Sequence, residues 1–485
     1  MTTAWRVAVV GGGLTGLAVA HKLQELSRAA QRPLDLTLYE AGPRLGGVVG
    51  TRTISGYRVE TGADSFITNK PWALDLCRRL GLEDRLIPTQ SEFRRSLVLR
   101  RGRPLPVPDG FLLLAPARIG PILASPLFSW WGKLRLGLEY FLPRGRVRDD
   151  ESLASFVRRR LGRQALDRLV QPLVGGIYTS DPEKLSLRAT LPRFLEMERQ
   201  YGGLIRGARR QRESTPDAPG GARYGLFATL TQGISEMSDA LAKRVRQWGA
   251  EVKLDTPIAA VHLASRESPG MGDSGATAEH TLELPDGSHD AFDAVLLALP
   301  AYAAAALLGR SDAALAKLLA AIEYASTAVV VSGHKLSDVR DPLEAFGLVI
   351  PAIERRRILA VSYASRKFAG RAPAGCVQLR TFVGGALQPE LYDLPDKEIL
   401  RIVRGELEDI LGINWRPDFT LVARHARAMP QYHVGHLELV SRIEARIATT
   451  PGLGLAGSAY HGVGIPDCIH SGEQASERLF ESRTT

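Results

Sequence analysis

Residues 6–16 read RVAVVGGGLTG, and the order of residue types within them decides the fold. Arg6 to Val10 is a short run of strand formers, and Gly11-x-Gly13-x-x-Gly16 follows it directly. In such a turn Gly11 permits the tight bend, Gly13 lets a pyrophosphate approach the backbone, and Gly16 lets the next helix pack closely on the strand. Leu14 and Thr15 lead into the next helix, whose free N–H groups at the N-terminus face an anion. A glycine triplet alone is a weak signal; its place between strand and helix gives it meaning. Glu40 completes the pattern. It ends the run Leu34–Tyr39, 24 residues beyond Gly16, where a carboxylate can accept both hydroxyls of a ribose.

Outward from this turn, apolar periodicity predicts helices over Gly16–Gln31, Pro71–Leu80, Ser152–Leu161 and Ser235–Trp248. Strands are expected at Val7–Val10, Leu34–Tyr39 and Ala294–Leu299. Strand, helix and strand in that order imply a parallel sheet with a right-handed crossover. Glu251–Leu263 and His280–Leu284 alternate like strands, and the polar Ser265–Glu279 between them reads as a hairpin tip. Gly207–Arg223, rich in Arg, Pro and Gly, reads as a loop that closes a basic helical region.

The 485 residues suffice for about three domains. With 45% hydrophobic and 24% charged residues, the composition excludes disordered, collagen-like and coiled-coil chains. Lys and Arg outnumber Asp and Glu by 62 to 52, and the formal charge of +10 favours anionic ligands or surfaces. Nucleic acid would suit that charge, but no motif for it is present and no aromatic residues alternate with the arginines. Cys77, Cys376 and Cys468 stand far apart, with no CxxC or Cys/His spacing. That pattern speaks against a disulfide framework or a metal site and fits a reducing cytosol. The first strand begins almost at once, with no charged-then-apolar leader before it.

Gly110–Leu142 (GFLLLAPARIGPILASPLFSWWGKLRLGLEYFL) is the stretch that mimics a membrane span. Pro116, Pro121 and Pro126 interrupt it, and Arg118, Lys133 and Arg135 charge it, so it does not span. It is expected to form short helices with an apolar face, flanked by Arg144, Arg146 and Arg148. Two accounts stand: packing inside a domain, or a patch that dips into an anionic bilayer from one side.

After Glu40 the chain runs Ala41-Gly42-Pro43-Arg44-Leu45-Gly46-Gly47, an RxGG continuation. This resembles the second signature of the glutathione-reductase-type flavoproteins of the amine oxidase group, and the resemblance implies FAD. In that reading Arg44 and the Gly46-Gly47 backbone serve the pyrophosphate and the flavin side, a role a guanidinium suits chemically. Gly62-Ala63-Asp64-Ser65 is similar to the group's stretch near the isoalloxazine. Val252 in EVKLDTPI resembles the valine whose backbone meets adenine, and Asp293–Pro300 (DAVLLALP) resembles a further strand of the group. Gly457 in GLAGS and Val463-Gly464-Ile465 in GVGIPDCI resemble the terminal signature, whose helix the group sets against the flavin pyrimidine. The implied fold is α/β: a discontinuous FAD-binding Rossmann-like domain of glutathione-reductase type, an inserted α+β substrate domain and a helical, membrane-associating region. On this reading 1–92, 214–304 and 425–485 are FAD-binding pieces, 93–213 is the helical region and 305–424 the substrate domain.

Gln171–Glu196 (QPLVGGIYTSDPEKLSLRATLPRFLE) narrows the group. It is similar to a block of the protoporphyrinogen oxidase family, with Gly175 where serine is common and Thr179-Ser180 where the family has Ala-Gly. GVGIPDCI resembles the bacterial branch assigned coproporphyrinogen III oxidase. The resemblance implies a tetrapyrrole substrate, six electrons removed by way of flavin N5, O2 as final acceptor and H2O2 as product. It also implies a cytoplasmic place in heme biosynthesis and contact with the next enzyme of that pathway. No side chain is needed as acid, base or nucleophile, because the pyrroles activate the methylene C–H bonds and the cofactor carries the reaction. Arg95, second of the pair Arg94-Arg95, matches the family's propionate-binding arginine, and Lys70 aligns with a lysine of the bacterial branch suited to a second carboxylate. Val174 is expected to wall the macrocycle, with Gly175 and Gly176 letting it approach the backbone.

Lys70, Arg94, Arg95 and Arg188 together favour the tetracarboxylate coproporphyrinogen III over the dicarboxylate protoporphyrinogen IX, and both stay open. His433 and His436 read as a satisfied or exposed pair. An amine oxidase would share the FAD domain but not the tetrapyrrole block, and a carotenoid desaturase would want a long apolar tunnel. Escort proteins of the same fold lack the flavin signature that Gly11, Gly13, Gly16, Glu40 and Arg44 form here.

Overall fold

A computed structural model gives the fold and describes residues 4–112, 114–116, 118, 120–145, 149–214, 227–264 and 279–483. Trp5–Val10 pairs in parallel with Leu34–Tyr39 on one side and Ala294–Leu297 on the other, placing Val7 beside Leu36 and Ala294. Glu251–Lys253 and Leu453–Leu455 flank these and complete a five-stranded parallel sheet. Alternate residues of the central strand serve two cores, Val7 and Val9 one, Ala8 and Val10 the other, so the run is apolar throughout. The helices Leu14–Ala29, Ser235–Gln247 and Ile465–Ser482 fill the first core with Leu17, Leu241 and Ile469. Ala301–Leu308, Ala313–Ala320 and His436–Ile447 fill the second with Leu308, Leu315 and Val440. The strands come from five separated parts of the chain, so this domain is discontinuous, as expected.

A second, seven-stranded sheet runs in the order Phe419–Pro430, Tyr324–Lys335, Cys376–Gly384, Ala360–Tyr363, Gly347–Val349, Ser96–Arg100, Arg103–Pro106. The last two strands lie within 93–213, ahead of its helices. They form a hairpin that joins this sheet through the parallel pairing of Leu97 with Leu348. The strand Phe419–Pro430 likewise runs across the expected boundary at 424/425. The helical region proper has its own core around Phe156, Leu169 and Phe194.

Two local readings also change. Glu251–Leu263 is two strands in different sheets, because Asp255 has φ +51° and Pro257 follows; Ala260–His262 pairs antiparallel with His280–Glu283. The expected loop from Gly207 is helical, within Leu204–Ser214, and 215–223 lies outside the described residues, as do 265–278 of the hairpin tip, Arg146 and Arg148. No helix among the described residues is long and apolar enough to cross a membrane. Gly110–Leu142 divides its apolar residues: Phe111, Leu114, Leu127 and Leu136 are buried, whereas Trp130, Trp131 and Phe141 are 78, 79 and 76% exposed.

Candidate active site

The glycine turn sits at the C-terminal edge of the parallel sheet, where open α/β sheets bind ligands. Gly11 has φ +106°, and a β-carbon there would lie 2.5 Å from the carbonyl oxygen of Ala298. At Gly16 a β-carbon would overlap the carbonyl of Gly11, so this glycine sets the helix against the turn. Gly13 differs: nothing lies nearer to that direction than Gly47 Cα at 3.9 Å, which leaves room for a ligand. No side chain caps the helix at Gly13, and its first intrahelical bond is Leu17 N–H to Gly13 O. The N–H groups of the first turn are left for an anion.

The loop after Leu34–Tyr39 folds over this turn. Glu40 receives Gly12 N–H at 2.7 Å on Oε2 and Gly42 N–H at 2.8 Å on Oε1, which fixes the carboxylate above the turn. Glu40 N–H in turn reaches Lys253 O at 2.9 Å, bringing Val252 and Ala41 to neighbouring strand ends. Gly46 N–H bonds Gly12 O at 2.9 Å, and Gly47 backs onto Gly13. Arg44 stands in the same loop. Its guanidinium donates to the carbonyls of Leu45, Gly47 and Val49 at 3.2, 2.6 and 2.9 Å, so its donors hold the loop in shape.

A second helix start closes the cradle. Gly472 of the Ile465–Ser482 helix would place a β-carbon 2.9 Å from Thr15 O, Ser476 Oγ bonds Val19 O, and the Cys468 thiol bonds Thr15. The second and third turns of this helix therefore lie against the start of the Leu14–Ala29 helix, and both helices open on glycines, Gly13 and Gly464. Gly457 N–H is tied to Ser471 Oγ at 3.0 Å, and Val463, Gly464 and Ile465 lead into the helix. Gly62 packs on Val48, whose carbonyl a β-carbon at 62 would overlap, so Gly62 borders the same space, with Ala63, Asp64 and Ser65 following it in the chain. Val48, 58% exposed directly after the paired glycines, borders it too and was missed in the sequence reading.

The Leu14–Phe480 span, residues 14–480, matches the family of flavin-containing amine oxidoreductases. The chain belongs to that family. Its flavin is FAD, and the residues fit it: a glycine-lined cradle, two helix starts that open on glycines and a carboxylate fixed above the turn. Within the family the chain is 34% identical to the coproporphyrinogen III oxidase of Bacillus subtilis, over 97% of this chain and 96% of that one. It is 30% identical to the coproporphyrinogen III oxidase of Staphylococcus aureus, over 98% of both. The mitochondrial protoporphyrinogen oxidase of Nicotiana tabacum is 26% identical, over 99% of this chain and 95% of that one. A crystal structure of a candidate protoporphyrinogen oxidase from Exiguobacterium sp. 255-15 superimposes with a TM-score of 0.85, at 29% identity over 100% of both chains.

Arg94 and Arg95 are exposed, and Arg95 makes no side-chain bond among the described residues. Phe346 N–H to Arg95 O anchors its backbone at the edge of the seven-stranded sheet. Lys70 Nζ instead has a protein partner, Asp467 Oδ1 at 2.5 Å, in the first turn of the Ile465–Ser482 helix. Arg188 is paired with Glu438 at 2.8 Å. Val174 is buried in the helical core, and a β-carbon at Gly176 would meet Val349 at 3.6 Å. Gly175 lines a narrow cleft with Gln171, Thr179, Ile350 and Gly384. His436 bonds Tyr460 O and stacks on Tyr432, which makes it a packing residue.

Proposed function

We propose that this chain oxidises coproporphyrinogen III to coproporphyrin III, removing six electrons and reducing O2 to H2O2. The observation that carries this reading is full-length likeness at 30–34% identity to proteins named coproporphyrinogen III oxidase, against 26–29% for those named protoporphyrinogen oxidase. Bound FAD supplies the two-electron acceptor for each methylene oxidation. The protein binds, orients and excludes water. Gly11, Gly13, Gly16 and the helix starts at Leu14–Thr15 and Val463–Ile465 hold the diphosphate and the flavin. Glu40 takes the ribose, with Ala41 and Val252 beside the adenine. Gly46 and Gly47 leave room for the ring, and Arg44 acts by shaping their loop.

Arg95 supports the substrate reading because it is a free guanidinium beside the sheet edge. Lys70 joins it by sharing its ammonium between Asp467 and a substrate carboxylate, while Gly175 opens the helix surface to the macrocycle. Anaerobic mixing with each porphyrinogen tests the assignment. Faster flavin bleaching by coproporphyrinogen III is expected; equal or faster bleaching by protoporphyrinogen IX would overturn the preference.

A cytoplasmic protein that touches membrane from one side, and hands its product to the next heme-pathway enzyme, completes the proposal. Trp130, Trp131, Leu134 and Phe141 are exposed together, with Lys133 stacked on Trp130 and Arg206 on Tyr140, a mix of apolar and basic groups suited to anionic lipid. Vesicle flotation should show association that weakens with salt and is lost in Trp130→Ser/Trp131→Ser.

A further inference from the structure

A carboxylate, two cations and a hydroxyl meet beneath Gly62–Ser65, and the chemistry above makes no use of them. Asp64 Oδ1 accepts from Ser65 Oγ at 2.7 Å and lies 3.1 Å from Lys367 Nζ, while Oδ2 lies 2.9 Å from Arg380 Nη1. Lys367 also donates to Ser65 Oγ at 2.9 Å, and Arg380 Nη2 donates to the carbonyl of Gly62. The three charged side chains are 14, 15 and 3% exposed. Burial pushes the Asp64 carboxyl up, but Lys367, Arg380 and Ser65 together hold it well below the usual carboxylate range. The carboxylate belongs to the FAD side. Both cations come from the other domain, Lys367 from the helix Ala364–Lys367 and Arg380 from the strand Cys376–Gly384 of the seven-stranded sheet.

Next to this cluster Glu60 and Arg371, both buried, stand 3.7 Å apart. Lys367, Arg371 and Arg380 against Glu60 and Asp64 leave one positive charge in surplus where water screens poorly, and the half-buried Arg58 beside Arg371 adds a second. His425 donates no charge to this count at neutral pH, since burial lowers its imidazole. Gly62 packs on Val48 at the cradle, and Phe66–Ile67 packs on the Ile465–Ser482 helix. A flavin held between the two helix starts would lie on the side where Gly62 meets Val48.

Resting on the FAD assignment, we propose that Lys367 and Arg380 are positioning residues that hold Gly62–Ser65 against the flavin and lend it positive charge that favours electron uptake. The test is the two-electron midpoint potential of the holoprotein, measured against a redox dye without substrate. Lys367→Met should shift the reduction equilibrium about tenfold toward the oxidised form, about 30 mV. Asp64→Asn should shift it the opposite way, and Lys367→Arg should stay within about twofold of wild type. Opposite signs separate charge from damage, because disturbed packing alone has no reason to reverse direction. Shifts of one sign, or none, overturn the proposal. If Lys367→Met sheds its flavin, Asp64→Asn and Lys367→Arg still decide. A wild-type protein without flavin would instead sink the FAD reading, and the choice of porphyrinogen does not enter the measurement.

Discussion

Single residues at the cradle do different work although they share one motif. Gly11 is needed for its backbone angle, Gly16 for helix contact, and Gly13 for empty space. Gly13→Glu should therefore fold but lose FAD, because both bulk and charge enter the place of the diphosphate; Glu40→Ala should lose less. Flavin absorbance per protein after gel filtration checks this, and full retention in Gly13→Glu would mean the phosphate lies elsewhere. Arg95 belongs at the same scale. In the proposed role its exposed guanidinium would contribute to substrate binding and not to the electron transfer itself, and an exposed ion pair is worth about 0–1 kcal/mol, more when partly desolvated. Arg95→Ala should raise KM severalfold at unchanged flavin content. An unchanged KM would remove Arg95 from the site. Lys70 is harder to read from sequence, since its partner Asp467 lies 397 positions away and nothing local announces it.

Between elements, the contact of Leu14–Ala29 with Ile465–Ser482 decides whether the cradle exists. Gly472 lets the second helix lie on Thr15 and Val19, whose backbone atoms stand 2.9 and 3.3 Å from where a β-carbon would be. These are backbone positions and do not swing aside. Gly472→Val should push the helices apart, cost about 1–3 kcal/mol by overpacking and weaken FAD binding by displacing Thr15, although residue 472 itself is not placed against FAD. Thermal melts with and without added FAD check both effects, and an unchanged FAD-dependent rise in Tm would show that the helix spacing is not critical. The Arg44 loop makes the complementary point. Its RxGG pattern is legible in sequence, yet whether the guanidinium faces a phosphate or the loop's own carbonyls depends on how Gly46 and Gly47 fold back on the turn.

At the scale of the whole molecule, burial sets the acid limit. Desolvation lowers the imidazoles of His21, His334 and His436 from 6.5 to about 4. The unfolded chain binds these protons from about pH 6.5 downward and the folded one does not, so stability falls as pH drops through that window and levels off below about 4. Each group contributes on the order of 3 kcal/mol to that loss at most. Urea midpoints should decline from pH 7 to pH 4, and His334→Gln should flatten the decline; an equal slope in the variant would show that this histidine does not carry it.

By itself the sequence determined what short-range order can specify. The strand–turn–helix of residues 6–29, the acid at 40 and the parallel start of the sheet follow from local periodicity and backbone sterics, and the structure places them as read. The split of Glu251–Leu263 and the membership of Ser96–Pro106 in the seven-stranded sheet depend on pairing partners far along the chain. Only the tertiary structure decided those, and only it brought Lys367 and Arg380 to Asp64, because a buried charge finds its partner through the packing of two domains and not through its neighbours in sequence.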